Sequence, residues 1–466
     1  MNTLLRYDSD RNQRYFIHPS QKMAGMGVVL IAISIITKCI ECFLKQGIII
    51  TFLDEAAVAT MAGKLQLTSI FAGTLGALLL IFAALAYVML PDTFNICLLI
   101  KRGLFVSETG NPLSFKAGEL LPEVSCRQVD KDKFELTISA ATVTIEALQD
   151  ISSVISSSLT GKYDNFAVVE TNSDMAFNAV TFTIQDVSVK RELVINSLDE
   201  LFPADPTKLT VQNDKVIDLT SSGSILVAGK TRSGKTTGII SILLQVLLCG
   251  QDSFNSLVII IDPKKAELSQ LPHTVTLGEN GETNEILDVI RLFEGTMKTR
   301  QRLLNKMSEQ SGNAEKWHEH MKPSFLFIDE YISLRSMLLK RTKDNAGYSL
   351  DDFDELVKRI ITMGASAGCF VILSVAEASV NEGGLPSMLK SACSTKILFR
   401  PTLPEARLIW DLEKLKNMNE RIYKAGEAWF SSTDGINDSV SNVHFPIMEF
   451  EVYRELGNAL KSYYRE

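Results

Sequence analysis

Two short stretches of this sequence carry residue types and spacing suited to phosphate chemistry. Gly229 to Thr236 reads GKTRSGKT and meets the pattern G-x-x-x-x-G-K-(S/T) at each fixed position. Glycines at that spacing let backbone N–H groups turn inward onto phosphate oxygens, and a helix that starts at the loop adds its positive end. The expected cradle is Gly229, Lys230, Thr231, Arg232, Ser233, Gly234, Lys235, Thr236 and Thr237. Lys235 would reach the β- and γ-phosphates, and the Thr236 hydroxyl would ligate Mg²⁺. Further on, FLFIDE at 325 to 330 is an apolar run that ends in two acids. In a P-loop fold that strand is expected beside the one that feeds the loop, so that Asp329 holds the Mg²⁺ shell through water. Glu330 then orients or deprotonates an attacking water. ATP with Mg²⁺ is the implied ligand, and Lys235 and Glu330 are the expected catalytic residues.

The elements that must position these groups are also legible. From 220 onward, the apolar runs SILVAG, SLVIIID, SFLFIDE, CFVILSV and STKILFR alternate with helical stretches. Near-continuous apolar strands suit a parallel sheet covered by helices on both faces. The expected fold is therefore α/β, a P-loop NTPase of RecA-like type, occupying 206–466. Between 91 and 205, KFELTISAA, FAVVET and AVTFTIQDVSV alternate with a Ser- and Ile-rich helical stretch near 144–158. That pattern reads as a small α+β module. LFPADPTKL at 201–209 carries two prolines and marks the boundary.

Charge and apolar runs bound the setting. The chain of 466 residues has 47 basic and 55 acidic residues, a formal charge of -8, so it is no polycation. Contact with nucleic acid must be local, in a groove or pore. Residues 67–90 contain no charged side chain and are long enough for a transmembrane helix. Residues 23–44 form a second expected span, interrupted by Lys38 and Glu41, whose three-residue spacing lets them pair or snorkel. A cleaved leader does not fit, because 22 residues precede the first apolar run. Arg6, Arg11, Arg14 and Lys22 in the leading tail outnumber Lys45 and Lys64 in the loop, which favours a cytoplasmic tail at 1–22. The segment 45–66 is then an extracytoplasmic loop, and the P-loop domain is cytoplasmic beneath a cell membrane. The seven cysteines show no disulfide framework, and Cys39 and Cys42 read as small apolar residues on a helix.

Between the loop and the acids lies VIIIDPKKAELSQLPH at 258–273. The P-loop, then strand-Asp-Pro-Lys-x-x-Glu-Leu, then strand-Asp-Glu, resembles the motor domain of FtsK/SpoIIIE-type DNA translocases. The resemblance covers roughly 206–430 and extends to LKSACSTKILFR and GEAWF, similar to the family's late strand and closing turn. Two spans, a short module and a motor look most like the membrane-anchored coupling proteins of Gram-positive conjugative plasmids and integrative conjugative elements. The 36 residues after Phe430 are too few for the winged helix typical of chromosomal motors. The resemblance implies a homo-oligomer, a hexameric ring, acting on DNA without sequence preference. It also implies a relaxase-DNA complex and mating-channel proteins as partners. The alternatives are a chromosome-segregation or secretion motor of the same superfamily, or a nucleotide-binding docking receptor with weak or no hydrolysis.

The sequence departs from the family at the coupling positions. CFVILSVAEAS places Ala376 where the family has a sensing Gln and Glu377 where it has Arg. Ala365 stands where the family carries an arginine that acts across subunits, and Arg359 or Arg400 are the candidates to replace it. Loss of such an arginine costs about 10³- to 10⁵-fold in hydrolysis. Lys298, Arg300, Arg302, Lys340, Arg341 and Lys343 are expected near helix surfaces, as solvated charges or phosphate contacts. EKWHEH at 315–320 reads as an exposed polar loop, with too few ligands at helical spacing for a metal site.

Overall fold

The computed structural model describes residues 6–8, 12–13, 15–46, 55–106, 112–279, 281–378, 384–415, 418 and 422–465. The chain forms two compact units, Met1–Val189 and Lys190–Glu466. The first opens with helices α1 (Pro19–Lys45) and α2 (Glu55–Met89), both long and apolar enough to cross a membrane. At 27 and 35 residues they run about 40 and 52 Å, against about 30 Å of hydrocarbon. Their large side chains, among them Val28, Ile35, Ile36, Leu67, Phe71 and Val88, are exposed. Such a continuous apolar surface suits lipid rather than water. Residues 55–66, assigned to a loop from sequence, are helical; 47–54 lie outside the described residues.

The two helices meet antiparallel on small residues. A Cβ on Gly27 would stand 2.9 Å from the Gly76 carbonyl oxygen, and one on Gly76 would stand 2.9 Å from that of Gly27. Ser34 Oγ donates to Ser69 O at 2.7 Å, and Ser69 Oγ donates to Ser34 O at 2.9 Å. Close backbone approach with hydroxyl pairs holds helices together where no hydrophobic drive separates them from lipid. Lys38 and Glu41 do pair, at 2.7 Å, and Lys45 adds a second contact to Glu41 at 2.5 Å.

The segment before α1 packs on the chain that follows α2. Tyr7 exchanges backbone hydrogen bonds with Gly118 and Glu119, and Phe16 is buried against Phe105. Ser20 N–H donates to His18 Nδ1, which leaves Nε2 to donate to Asn95 Oδ1 at 3.0 Å. Both ends of the helical hairpin therefore lie on one side of it. After α3 (Asp92–Phe105) come β1 (Val124–Asp130), β2 (Lys133–Ser139), α4 (Ser152–Ser158), β3 (Phe166–Ser173) and β4 (Ala179–Asp186). They form an antiparallel sheet in the order β1-β2-β4-β3. Phe134, Leu136 and Ile138 alternate inward with Val180, Phe182 and Ile184, the period-2 pattern that fixes register when one face is buried.

The second unit contains, in order, β5 (Val194–Ile195), β6 (Lys208–Gln212), β7 (Lys215–Asp218), β8 (Ile225–Ala228), α5 (Lys235–Leu248), β9 (Val258–Ile261) and β10 (Thr274–Val275). There follow α6 (Asn284–Ser311), β11 (Ser324–Ile328), α7 (Tyr331–Met337), α8 (Leu350–Met363), β12 (Cys369–Val375) and β13 (Thr395–Phe399). The last elements are β14 (Glu427–Ser432), β15 (Ser441–His444), β16 (Ile447–Met448) and α9 (Val452–Tyr464). Eight strands form one sheet in the order β10-β9-β11-β12-β8-β13-β14-β15, parallel from β10 to β13. This is the P-loop, RecA-like arrangement, and all five apolar runs named from sequence are strands in it. Alternate residues enter different cores: Leu226, Ile261, Leu326 and Leu373 pack with α6 and α8, while Ile225, Ile260, Phe325 and Ile372 pack with α5 and α9. Burial on both faces is why these strands read as continuous apolar runs.

One placement differs from the sequence reading. The acid strand β11 does not lie beside the P-loop strand β8; β12 is inserted between them, paired in parallel with both. A second correction concerns Arg300, which is fully buried rather than at a helix surface. From α6 it donates to Ser324 Oγ at 2.8 Å and to the Lys322 carbonyl, and it stands 3.7 Å from Asp252. It therefore anchors α6 to the entry of β11. Lys298 pairs with Glu294, and Arg341 with Asp352.

Removing a buried, paired cation leaves its partners unsatisfied. Arg300→Ala should cost about 3–5 kcal/mol, whereas Arg302→Ala, exposed on the same helix, should change stability by no more than about 0.5 kcal/mol. Denaturant unfolding followed by tryptophan fluorescence reads this directly, since Trp317, Trp410 and Trp429 all lie in the second unit.

Candidate active site

The site forms where the carboxyl ends of β8, β12, β11 and β9 meet, the position that parallel α/β sheets offer to ligands. The chain leaves β8 at Gly229 and reaches α5 through a turn in which Arg232 and Gly234 both have positive φ, at 65° and 91°. Gly234 is the residue on which the helix begins. A Cβ there would lie 2.4 Å from the Gly426 nitrogen, so both φ and space demand glycine. A Cβ on Gly229 would meet Phe399 Cβ and Ser233 Oγ, each at 2.9 Å. The Gly426 N–H donates to Ser233 O at 3.0 Å, tying the GEAWF turn to the loop.

Val375, the last residue of β12, supplies one carbonyl to two donors. Gly229 N–H reaches it at 3.2 Å and Lys235 Nζ at 3.2 Å. Lys235 is buried, and desolvation lowers its pKa, opposed by the nearby Glu330 and Asp329 carboxylates. Asp329 is shifted the other way: burial raises its pKa, while a hydrogen bond from Ser374 Oγ at 2.7 Å opposes the rise. Glu330 follows at φ 46°, a left-handed conformation costly for a side chain of this size and common where function demands it. Its Oε1 lies 3.8 Å from Lys235 Nζ and 3.0 Å from Lys264 Nζ. The structure thus brings Lys235, Asp329 and Glu330 together even though their strands are separated by β12.

The cradle residues fit an anionic phosphate ligand. Ser233 Oγ is buried without a hydrogen-bond partner, and Lys235 presents a desolvated cation beside the glycine turn. Lys230 is drawn aside to Glu405 at 3.0 Å; Thr231, Arg232 and Thr237 are exposed, and Thr236 is partly buried at the start of α5.

The remaining residues named from sequence are scattered. Ala376 and Glu377 are exposed directly after β12. Arg359 binds Glu294 at 2.6 Å and Glu355 at 2.6 Å within its own chain. Arg400 is exposed at the end of β13, with its Nε 3.2 Å from the Tyr423 carbonyl. EKWHEH is not a free loop: Trp317 is buried against Phe370, and His320 Nε2 meets Glu315 at 2.7 Å. Three contributors escaped the sequence reading as site residues. They are Ser374, a polar residue inside the apolar run CFVILSV; Gly426; and Lys264, visible only as part of Asp-Pro-Lys.

Residues 199–391 match the FtsK/SpoIIIE family. The FtsK domain-containing protein YdcQ of Bacillus subtilis is 28% identical over 150 residues, which is 32% of this chain and 28% of that protein. The DNA translocase FtsK of Shewanella oneidensis is 26% identical over 234 residues, 45% of this chain and 25% of that one. The chain spans only about a quarter of the length of these curated relatives. Among solved structures, the pCW3 conjugation coupling protein TcpA, in its monomer form with ATPγS, superposes with a TM-score of 0.46. It is 16% identical and covers 80% of this chain and 99% of that one. EssC ATPases 2 and 3 from Geobacillus thermodenitrificans give 0.41 at 17% identity, covering 59% of this chain and 52% of that one. Residues 199–391 of the second unit are thus similar to the FtsK/SpoIIIE family, on a P-loop fold.

Two measurements test the site as built. Gly234→Ala forces a Cβ onto the Gly426 backbone at an unfavourable φ, and should lower stability by about 1–3 kcal/mol as well as weaken nucleotide binding. Asp329 carries a raised pKa, so folded-state stability falls as pH rises from the ordinary carboxylate range through that value, and nothing is lost below the ordinary range. Asp329→Asn should therefore raise the nucleotide-free Tm by about 1–3 °C at neutral pH, with the gain vanishing as pH falls below about 4. A thermal melt series across pH checks it.

Proposed function

We propose that this chain is a membrane-anchored, ATP-dependent DNA translocase that acts as a coupling protein in conjugative DNA transfer. The carrying observation is the convergence of the glycine turn, Lys235, Asp329 and Glu330 at one sheet edge. The same chain holds an antiparallel pair of long apolar helices whose two ends lie on one side. The match of residues 199–391 to the FtsK/SpoIIIE family supports the reading of the motor as a DNA pump. In that reading the two helices anchor the protein in the cell membrane with the motor in the cytoplasm. DNA is gripped through its phosphates without sequence preference, and the chain assembles as a ring, a hexamer, between a relaxase-DNA complex and the mating channel.

Mg²⁺-ATP, when bound, supplies the phosphoanhydride bond whose cleavage drives the motor. Backbone N–H groups of 232–236 and the Lys235 ammonium hold the phosphates in the cradle. Thr236 and Asp329 are the residues to hold Mg²⁺, with Ser374 fixing the Asp329 carboxylate. Glu330 takes the proton from water. Burial of Lys235 and Asp329 strengthens each of these interactions, because charges in a dry site are poorly screened. Ala365 and Ala376 provide no polar group at the family's coupling positions, and this favours a second reading, a nucleotide-bound docking receptor that recruits cargo without pumping.

ATP turnover by the full chain in detergent micelles, with and without DNA, separates the two. The translocase reading expects DNA-stimulated turnover that Glu330→Gln reduces by about 10²- to 10⁴-fold and Lys235→Ala abolishes. Equal turnover in wild type and both variants would leave the docking receptor. Relaxase and mating-channel genes beside this one would distinguish conjugation from segregation or secretion.

A further inference from the structure

The turn after β9 is organised around a buried anion. The Asp262 carboxylate accepts the N–H groups of Lys264, Ala266 and Ser269 at 3.0, 2.9 and 3.1 Å. Wrapping the chain around this carboxylate aims the Lys264 side chain across the end of β11, where its ammonium meets Glu330 Oε1 at 3.0 Å. The same oxygen lies 3.8 Å from Lys235. Two ammonium groups thus share one carboxylate oxygen, and Lys235 is by motif the lysine that must move to phosphate. The two lysines differ in freedom, because the Lys235 side chain is 8% exposed and that of Lys264 is 48% exposed. Lys264 is therefore a half-exposed cation at the rim of the cradle, set by a fixed turn and paired, among the described residues, with Glu330. A more highly charged anion beside Glu330 would compete for it, since attraction grows with the charge of the partner at similar distance.

We propose that Lys264 is a second phosphate lysine, whose ammonium contacts the terminal phosphate of a bound nucleoside triphosphate, and that Glu330 is the counter-ion that keeps it aimed beforehand. The proposal rests on the nucleotide-binding reading above. It makes Lys264 the residue that distinguishes triphosphate from diphosphate, and it couples release of Glu330 as a base to the arrival of the third phosphate. Lys235, which reaches further into the cradle, serves both ligands.

The test is equilibrium binding of ADP and of ATPγS, each with Mg²⁺, to the full chain in detergent micelles. Lys264→Ala should weaken ATPγS by about tenfold or more, the scale of a charge-assisted hydrogen bond to phosphate. ADP should stay within about twofold of wild type. Lys264→Arg, which keeps the charge, should restore most of the ATPγS affinity. An unchanged ratio of the two affinities in Lys264→Ala, or Lys264→Arg failing as Lys264→Ala does, overturns the proposal. Failure of the underlying reading looks different: wild type would bind neither nucleotide, or Lys235→Ala would bind both as wild type does. An unaltered Tm in Lys264→Ala confirms that the half-exposed side chain is not a folding determinant.

Discussion

A single backbone carbonyl, that of Val375, sets the geometry on which the active site depends. It accepts the Gly229 N–H and the Lys235 ammonium at once, so the end of β12 fixes both the start and the finish of the phosphate loop. Because β12 lies between β8 and β11, it also faces the acids. Ser374, one residue earlier, holds Asp329. Three segments far apart in sequence are thus brought to register by the parallel ladder of one strand. The side chains so assembled are in electrostatic tension. Burial pushes the Lys235 pKa down and the Asp329 pKa up, and folding carries that cost in exchange for strong fields on a bound anion.

Distant chain closes around the loop. Gly426 packs against Gly234 with no room for a side chain on the latter, and its own N–H satisfies the Ser233 carbonyl. Phe399 and Phe445 meet with ring centroids 4.8 Å apart and planes tilted by 42°, filling the space beside Gly238 of α5. Residues flanking the late strands β14 and β15 therefore shape the glycine loop and the start of α5. The hairpin of α1 and α2 is held differently, since most of its large apolar side chains are exposed rather than packed between the helices. There the close approach of Gly27 and Gly76 and the reciprocal Ser34 and Ser69 hydrogen bonds supply the contact.

Much of this was readable beforehand. The glycine spacing located the turn ahead of α5, because the positive φ of Gly234 and its close contact with Gly426 leave no room for a side chain. The apolar runs located the strands because both faces of a central sheet are dry. What misled was neighbourhood. An apolar run declares that a strand is buried and says nothing of which strand lies beside it, so β12 was not foreseen between β8 and β11. Charge was misread for a related reason. Arg300 sits in KTRQRLLNK among solvated cations, yet a position on the inner face of α6 and a carbonyl at Lys322 bury it completely. Trp317 likewise pulls EKWHEH inward against Phe370.

The sequence by itself determined the chemistry available: a phosphate loop with its lysine, two acids at a strand end, an Asp-Pro-Lys turn and two apolar helices. Those are local properties, set by side-chain type, spacing and backbone freedom. Only the tertiary structure decided which groups share an atom. Lys235 and Lys264 converge on one oxygen of Glu330, and Ser374 reaches Asp329, because strand order and the wrap of the chain around Asp262 place them within a few ångströms. Contact between residues far apart along the chain depends on packing in three dimensions, which periodicity does not encode.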